Sequence, residues 1–356
     1  MKHNLKLKPV AIGSLPHNKL SEAIDLVEND FAQIPFFPQL KNINAKEDMI
    51  IQFLEGMPSF LPQNPELFCF NTESENFYIE LEKFFMEYEE IIEDFNSQLL
   101  ENYAISNDFS VSFSHFENFI KNTAPEYAKG QIIGPFTLGT TLKDQNGRYA
   151  IFDETLREII VKHLTLKALW QIKRIKQASN NTTPIIFMDE PSVSQIGTSA
   201  YLTVSENEVI SMIKEISDAI RNNGGISAVH CCGKCDWRIP VKTGVNIINF
   251  DAYTFSRNFN IYHSEIKKFL QNGGLIAWGL VPTLSDDILK DLKIDDLRKI
   301  FHESVNYLTK HGIDEKLILD NSLITSSCGA GALLVEYAKK AMDMVKELAD
   351  ILKNEV

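Results

Sequence analysis

The chain of 356 residues has no apolar run approaching the roughly 20 residues that a membrane-spanning helix needs. Its amino terminus, Met-Lys-His-Asn-Leu-Lys-Leu-Lys, lacks the apolar core of a signal peptide. An excess of basic residues is also missing: the formal net charge is −13, whereas nucleic-acid binding favours a positive surface. We therefore expect a cytoplasmic protein with no membrane partner and no nucleic-acid partner.

Cysteine is scarce as well, since the chain contains only five, and no internal repeat or low-complexity linker is present. Four of the five fall in two short segments, as Cys231, Cys232, Cys235 and Cys328. So few cysteines, clustered in a cytoplasmic protein, indicate metal ligands or reactive thiols rather than a disulfide framework.

What the chain does have is an alternation of short strand-like runs with amphipathic runs of helical length, which is typical of β/α units. The predicted strands are Pro9–Gly13, Gln33–Phe37, Tyr127–Ile133, Pro184–Met188, Ile226–His230, Val245–Phe250, Gly274–Gly279 and Lys316–Leu319, the last one running on to Thr325 in an alternative interpretation. The predicted helices include Leu156–Ala178, Glu206–Arg221, Ile261–Gln271, Leu297–Lys310 and Leu333–Leu352. Eight such units predict an α/β fold, a single (β/α)8 TIM barrel spanning residues 1–356.

Residues 48–125 interrupt this alternation, because they have helical periodicity and no convincing strand. Phe77–Phe95 and Phe109–Phe119 are aromatic and amphipathic. We interpret this region as a helical insertion after strand 2, which either caps the barrel mouth or forms a surface for a partner.

Polar residues follow the predicted strands, where the active sites of such barrels lie. His230 and Cys232 come at the end of the fifth strand, and Cys328 follows the eighth. Alternate residues in an extended segment share a side, so His230 and Cys232 point together. One imidazole and two thiolates leave a fourth zinc position open for a substrate. We therefore predict a zinc site at these three residues.

Alternatives to this site remain open. Cys232 and Cys328 could be small buried hydrophobes, and Cys232-x-x-Cys235 could be a redox pair or a zinc knuckle. Cys231 is interpreted as structural. Asp251, at the end of the sixth strand, is a tentative fourth zinc ligand or an ordinary strand-end carboxylate.

The predicted ligand set also indicates a type of reaction. Sulfur ligands reduce the Lewis acidity of zinc, while the ion still lowers the pKa of a thiol that it binds. Attack of a thiolate on an electrophilic carbon suits such a site better than hydrolysis does. Methyl transfer to a thiol fits this description.

With these motifs in this order, the chain resembles the catalytic C-terminal half of cobalamin-independent methionine synthase. That family belongs to a superfamily with uroporphyrinogen decarboxylase and methylcobalamin:thiol methyltransferases. The motifs that carry the resemblance are Ile12-Gly13-Ser14-Leu15-Pro16, Asp48-Met49, Gly134-Pro135-Phe136-Thr137, Asp189-Glu190-Pro191, His230-Cys231-Cys232 and Cys328.

The resemblance implies a role for each matching residue. Ile12, Gly13 and Ser14 would receive the carboxylate of an amino-acid thiol, and Asp189 would bind its ammonium group as the catalytic-site acid. The family's remaining zinc ligand, a glutamate, corresponds to Asp251. The glutamate that helps to bind the amino group falls at Ile43 by position, and Gln39 is a candidate substitute.

Departures from the family concern the methyl donor. The tryptophan that stacks on folate is replaced by Thr141, and the loop Val281-Pro282-Thr283 lacks the histidine proposed as proton donor. A methyl-corrinoid would need neither residue, because cob(I)alamin leaves without a proton. The expected reaction is methyl transfer from a methyl-corrinoid, on a corrinoid carrier protein as candidate partner, to homocysteine, which gives methionine.

Two other functions are compatible with the same residues. One is methyl transfer to another thiol, such as coenzyme M, for which Asp189 would have no ammonium group to bind. The other is a non-catalytic accessory protein that binds zinc or a corrinoid.

Overall fold

A computed structural model describes residues 4–59 and 69–356 of the protein. The strands within these residues are β1 (Lys8–Pro9), β2 (Cys69–Phe70), β3 (Tyr127–Ile133), β4 (Lys143–Asp144), β5 (Thr183–Asp189), β6 (Ile226–Cys231), β7 (Ile247–Phe250), β8 (Leu275–Val281) and β9 (Ser322–Ser326). Seven of them form one parallel sheet in the order β1-β9-β8-β7-β6-β5-β3, and β2 pairs with β4.

Helices connect these strands. The α-helices of the described residues are α1 (Leu20–Asp30), α2 (Phe77–Glu93), α3 (Phe113–Thr123), α4 (Pro135–Gly139), α5 (Glu154–Ala178), α6 (Glu206–Asn222), α7 (Arg238–Lys242), α8 (Ala252–Asn260), α9 (His263–Gln271), α10 (Asp286–Asp291), α11 (Ile294–Lys310), α12 (Glu315–Asp320) and α13 (Val335–Asn354). Short 3-10 helices cover Ala45–Glu47, Ile51–Phe53, Gln98–Tyr103, Ala150–Phe152, Pro191–Gln195 and Ser199–Tyr201. No helix in the described ranges is both long and apolar enough to cross a bilayer.

The prediction of a closed eight-stranded barrel is wrong. Within the described residues the sheet has seven strands and stays open between β1 and β3. The missing strand is the one predicted at Gln33–Phe37, where Phe36 makes an isolated bridge with Lys129. Just beyond this segment, Gln39 makes another isolated bridge with Ser14. The segment Gln33–Phe37 contains Pro35 and is followed by Pro38, and proline has no backbone N–H for a ladder.

Side chains of β3 take over part of the contact at this seam. The Nζ atom of Lys129 donates to the carbonyl oxygen of Ile12. The amide of Gln131 donates to the carbonyl oxygen of Phe37 at 3.0 Å. Both side chains are fully buried, so the segments beside the open edges are connected to β3 without a regular ladder.

The last predicted strand also needs correction. Lys316–Leu319 belongs to helix α12, and β9 begins only at Ser322. Asp314 explains the helix, because its carboxylate caps the first turn by accepting from the backbone N–H of Leu317 at 3.0 Å. The alternative interpretation, in which the strand ran on to Thr325, covers most of β9.

The edge strand β3 and the inner strands β5 to β8 agree with the predictions from the sequence. β3 has the predicted bounds, and β5, β6, β7 and β8 differ from theirs by at most two residues at either end. At the first edge, β1 is only two residues long, whereas Pro9–Gly13 was predicted. Buried runs identify strands of a parallel sheet that is covered on both faces, and this holds for the edge strand β3, all of whose residues are buried.

The sheet curls around a small apolar core made of alternate strand residues. Ile185 and Phe187 of β5, with Ile226 and Ala228 of β6, belong to this core. Val229, the residue after Ala228, belongs instead to the larger core under the helices. Since neighbouring residues of a strand point to opposite faces, residue parity decides which side chains reach the inside of the curl.

The region 48–125 is largely helical, as predicted for the insertion, and contains α2 and α3; residues 60–68 lie outside the described residues. It also contains the two-residue strand β2, which was not predicted. Buried polar side chains of α5 bind the backbone of this region, residues 48–125. The Nε2 atom of His163 lies 2.7 Å from the carbonyl oxygen of Phe53, and Lys167 donates to that of Ala104 at 2.8 Å.

Candidate metal centre

Three side chains from two separate strand ends meet in one cluster. His230 is the next-to-last residue of β6, Cys232 follows that strand directly, and Cys328 lies beyond β9. One potential ligand atom from each lies within 4.8 Å of the others. β7 and β8 separate β6 from β9 in the sheet, so the curl of the sheet brings these residues together.

A neighbouring amide orients the imidazole of His230. Its Nδ1 atom pairs with Oδ1 of Asn249, and the amide nitrogen of Asn249 donates to the carbonyl oxygen of Ala277 at 2.8 Å. The amide oxygen must therefore face the ring, so Nδ1 carries the hydrogen. The Nε2 atom is buried without a hydrogen-bond partner, which leaves its lone pair available to a metal ion.

Asn249 was missed in the sequence, although a signal was present. It lies opposite His230 in the parallel pairing of β6 and β7. It also follows Ile247 by two residues, and Ile247 belongs to the core inside the curl. Parity therefore predicts that Asn249 and His230 point into the same interior.

The electrostatics favour ionisation of one thiol in the cluster. A hydrogen bond from the Cys328 thiol lowers the pKa of Cys232, against the effect of burial. The same interaction, together with burial, raises the pKa of Cys328. Burial disfavours the imidazolium form of His230, yet contact with the Cys232 thiolate outweighs it and raises the pKa of His230 to about 9.

This donor set suits zinc. An imidazole nitrogen and two sulfur atoms are ligands that catalytic zinc sites use, and three protein ligands leave one position open. Within the described residues, no further histidine, cysteine or carboxylate belongs to this group as a fourth ligand. The cluster is therefore a candidate centre for a metal ion that also takes a ligand from solution.

The structure does not bring Asp251 into the cluster. Its carboxylate instead caps α8, accepting from the backbone N–H of Thr254 at 2.8 Å. The second oxygen is buried and has no partner. A role of Asp251 as fourth ligand stays a prediction.

The other two cysteines of the segment lie apart from the cluster. Cys231 and Cys235 are both buried. Their mutual hydrogen bond, with burial, raises the pKa of Cys235, so that thiol stays protonated. This supports the interpretation of Cys231 as structural and gives Cys235 no place among the ligands.

A cavity of about 430 Å³ opens beside the candidate metal ligands. Its wall contains all three of them and most residues predicted to bind substrate, namely Ile12, Ser14, Gln39 and Asp189. Gly13 is not part of the wall. Its φ of 149° and the close approach of Gln131, 3.2 Å from where a Cβ would lie, explain the glycine.

Asp189 lines this cavity, and one of its carboxylate oxygens is buried and unpaired. It continues the alternation of Ile185 and Phe187 at the end of β5, and its Oδ1 atom is buried without a partner. Burial raises the pKa of this carboxyl group, with the charges of His230 and Lys129 opposing. A buried oxygen without a donor is a suitable place for a cationic ligand group.

The neighbouring Glu190 has a structural task. Its carboxylate accepts from the backbone N–H groups of Phe136 and Thr137 at 2.8 and 2.9 Å, at the start of α4. A Cβ on Gly134 would lie 2.1 Å from this side chain. The Asp189-Glu190 and Gly134-Pro135 motifs therefore fit each other directly, and Glu190 has no free oxygen for a substrate.

The loop after β8, which lacks the histidine of the family, supports Cys328. The hydroxyl of Thr283 donates to the carbonyl oxygen of Cys328 at 3.0 Å. Thr141, at the place of the family's tryptophan, donates to the carbonyl oxygen of Thr137 at 2.8 Å. Neither residue was assigned these roles from the sequence.

No family model and no curated protein matches this chain. A solved structure with detectable similarity is a Bacteroides thetaiotaomicron protein described as an alpha-L-fucosidase, which is 15% identical. The alignment covers 71% of this chain and 76% of that one, with a TM-score of 0.29. Because this score does not indicate a shared fold, the interpretation of the site depends on its own geometry.

Proposed function

We propose that the protein is a zinc-dependent methyltransferase that transfers a methyl group from a methyl-corrinoid to homocysteine, which gives methionine. The observation that carries the proposal is the cluster of His230, Cys232 and Cys328 at a cavity that also contains the unpaired oxygen of Asp189. A thiol and an ammonium group on one small molecule would satisfy both features.

The chain's own residues bind and orient in this proposal. His230, Cys232 and Cys328 hold the metal ion, and Asn249 keeps Nε2 of His230 free for it. When bound, the zinc ion lowers the pKa of the acceptor thiol and so keeps it ionised near neutral pH. Asp189 receives the ammonium group, which sets the distance between the amine and the reacting sulfur.

The carboxylate of homocysteine would lie against Ser14 and the backbone near Ile12, which line the same cavity. In the transfer, a sulfur lone pair forms the new S–C bond while the Co–C bond of the methyl-corrinoid breaks. The electron pair of the broken bond stays on cobalt, giving cob(I)alamin. The thiol proton has already gone to solvent, so the step needs no acid from the protein.

The experiment is to incubate zinc-loaded protein with methylcobalamin and homocysteine and to measure methionine. We expect methionine above the control without protein, and loss of both zinc and activity in Cys328→Ser. Cys69→Ser is the matched control, because Cys69 is buried in β2 outside the cluster. Full zinc content and full activity in Cys328→Ser would overturn the site, and stoichiometric zinc without methionine would overturn the donor–acceptor pair.

A further inference from the structure

A chain of two buried amides leads from the cavity into the helical insertion. The side-chain nitrogen of Gln39 donates to Oε1 of Gln52 at 3.0 Å. The side-chain nitrogen of Gln52 donates to the carbonyl oxygen of Phe109 at 2.7 Å. Gln52 is fully buried and Gln39 nearly so, which leaves little room for either amide to reorient.

The direction of this chain follows from its last member. A backbone carbonyl oxygen can only accept, so Gln52 must turn its NH2 group toward Phe109. The side-chain oxygen of Gln52 then faces Gln39, which must donate to it with its own NH2 group. The oxygen of Gln39 is consequently directed to the cavity side, where the hydroxyl of Ser14 lies 3.4 Å away.

The cavity therefore contains two acceptors that await a donor. Oδ1 of Asp189 has no partner at all, and the oxygen of Gln39 has only the long contact with Ser14. Among the described residues, Lys41 is the one lysine in the cavity wall, and it is paired with Asp48 at 2.7 Å. A primary ammonium group, with three N–H donors and a positive charge, matches two such acceptors.

We propose that Gln52 is a positioning residue, which holds the oxygen of Gln39 toward the cavity as an acceptor for the ammonium group that Asp189 also binds. The inference rests on the proposed function and deepens it, because it adds the oxygen of Gln39 as a second acceptor for the amine of the thiol substrate. It also gives the insertion a part in substrate selection, because Gln52 and Phe109 both belong to residues 48–125.

The experiment compares two thiols on the zinc-loaded protein by titration calorimetry. Homocysteine carries the amine, and 4-sulfanylbutanoate is the same molecule without it. We expect the wild type to bind homocysteine about 100-fold more tightly, the effect of two hydrogen bonds to a charged group at about tenfold each. Gln52→Met keeps the volume of the side chain but loses both polar atoms, and is expected to weaken homocysteine binding about tenfold.

Under this proposal, 4-sulfanylbutanoate binds Gln52→Met within about twofold of the wild type, well below the tenfold expected for a lost hydrogen bond to a charged group. Gln52→Glu, which retains an acceptor for the amide of Gln39, keeps the preference for homocysteine. A purely structural role of Gln52 would weaken both thiols equally and would overturn the inference, as would a Gln52→Met protein with unchanged preference. Thermal melting verifies that each variant is folded.

The wild type alone also distinguishes the two levels of the proposal, so the test does not depend on a variant that folds. Equal binding of both thiols overturns the ammonium site and leaves the thiol-binding zinc site standing. Binding of neither thiol by protein with stoichiometric zinc overturns the proposed function and this inference together.

Discussion

Two buried histidines in different parts of the molecule show opposite behaviour. His163, in the middle of α5, is fully buried, and His230 at the end of β6 is 2% exposed. Burial, aided by the charge of Lys167, lowers the pKa of His163 to about 3. Burial also disfavours the charged form of His230, yet its surroundings raise that pKa to about 9.

The partners make the difference. His163 meets the neutral carbonyl oxygen of Phe53 and a nearby lysine, so it is a structural contact between α5 and the insertion. His230 meets two sulfur atoms, and the amide of Asn249 leaves its second nitrogen free. Residue type and burial are thus poor indicators of a metal ligand, while the atoms around the ring are good ones.

The largest effect, a loss of zinc affinity, is expected when the imidazole of His230 is removed and not when that of His163 is. His230→Ala takes away one of the three proposed zinc ligands, and zinc affinity should fall by about 100-fold or more, beyond what loss of a supporting residue costs. His163→Gln is the matched control and should keep one zinc per chain. Competition with a chromophoric chelator measures both. Equal zinc affinity in the two variants would remove the distinction between these histidines.

A smaller loss is expected when the support of His230 is removed. Asn249→Leu leaves the ring free to turn and its Nδ1 hydrogen unpaired, so zinc affinity should fall about 10- to 100-fold. Asn249→Asp retains an acceptor for Nδ1 and should recover most of the affinity. The same chelator competition decides, and an Asn249→Leu protein with wild-type affinity would contradict the orienting role.

The pH dependence of the free energy of unfolding should show that His163 is a buried histidine that stays neutral in the folded protein. Its folded pKa of about 3 lies below the ordinary value of 6.5, so the unfolded chain binds the proton first. The contribution to stability is complete above pH 6.5 and is lost as the pH falls toward 3. Between pH 7 and 5 this amounts to about 2 kcal/mol.

Urea unfolding at the two pH values measures this contribution. His163→Gln, whose amide can still donate to the carbonyl oxygen of Phe53, should have the smaller difference between pH 7 and 5. The same pH dependence in wild type and variant would mean that His163 is not the group responsible.

The smallest effect concerns the loop that carries Cys328. Thr283→Val removes the hydroxyl that donates to the carbonyl oxygen of Cys328, and the free energy of unfolding should fall by about 1 kcal/mol. Thr309→Val is the matched control, because the buried hydroxyl of Thr309 has no partner. Chemical denaturation compares the two, and an equal loss would show that the bond to Cys328 is unimportant.

Much of the fold was predictable because most strands of the parallel sheet are buried on both faces, including the edge strand β3. Tyr127–Ile133 was predicted with its bounds, and the strands β5 to β8 nearly so. The segment beside β3, at the open seam of the sheet, was not predictable in the same way. The predicted strand at Gln33–Phe37 has apolar residues but also Pro35, and Pro38 follows it, so the open seam could have been expected from those two prolines.

The candidate site was predictable in its residue types and not in its supports. His230, Cys232 and Cys328 meet as expected, and Asp189 and Gln39 line the cavity beside them. Asn249 was missed although residue parity along β7 places it on the same side as Ile247, inside the curl. Gln52 was missed because a glutamine in a helical stretch has no local feature that indicates a function.

The sequence by itself determined the alternation of strands and helices and, through residue parity, that Asp189 and His230 reach the inside of the curl. Only the tertiary structure decided that Cys328 comes within 4.8 Å of His230, that Asp251 caps a helix, and that the sheet stays open between β1 and β3. The reason is physical: local sequence sets the direction of a side chain along its own strand. The curl and register of the whole sheet set which distant side chains it meets.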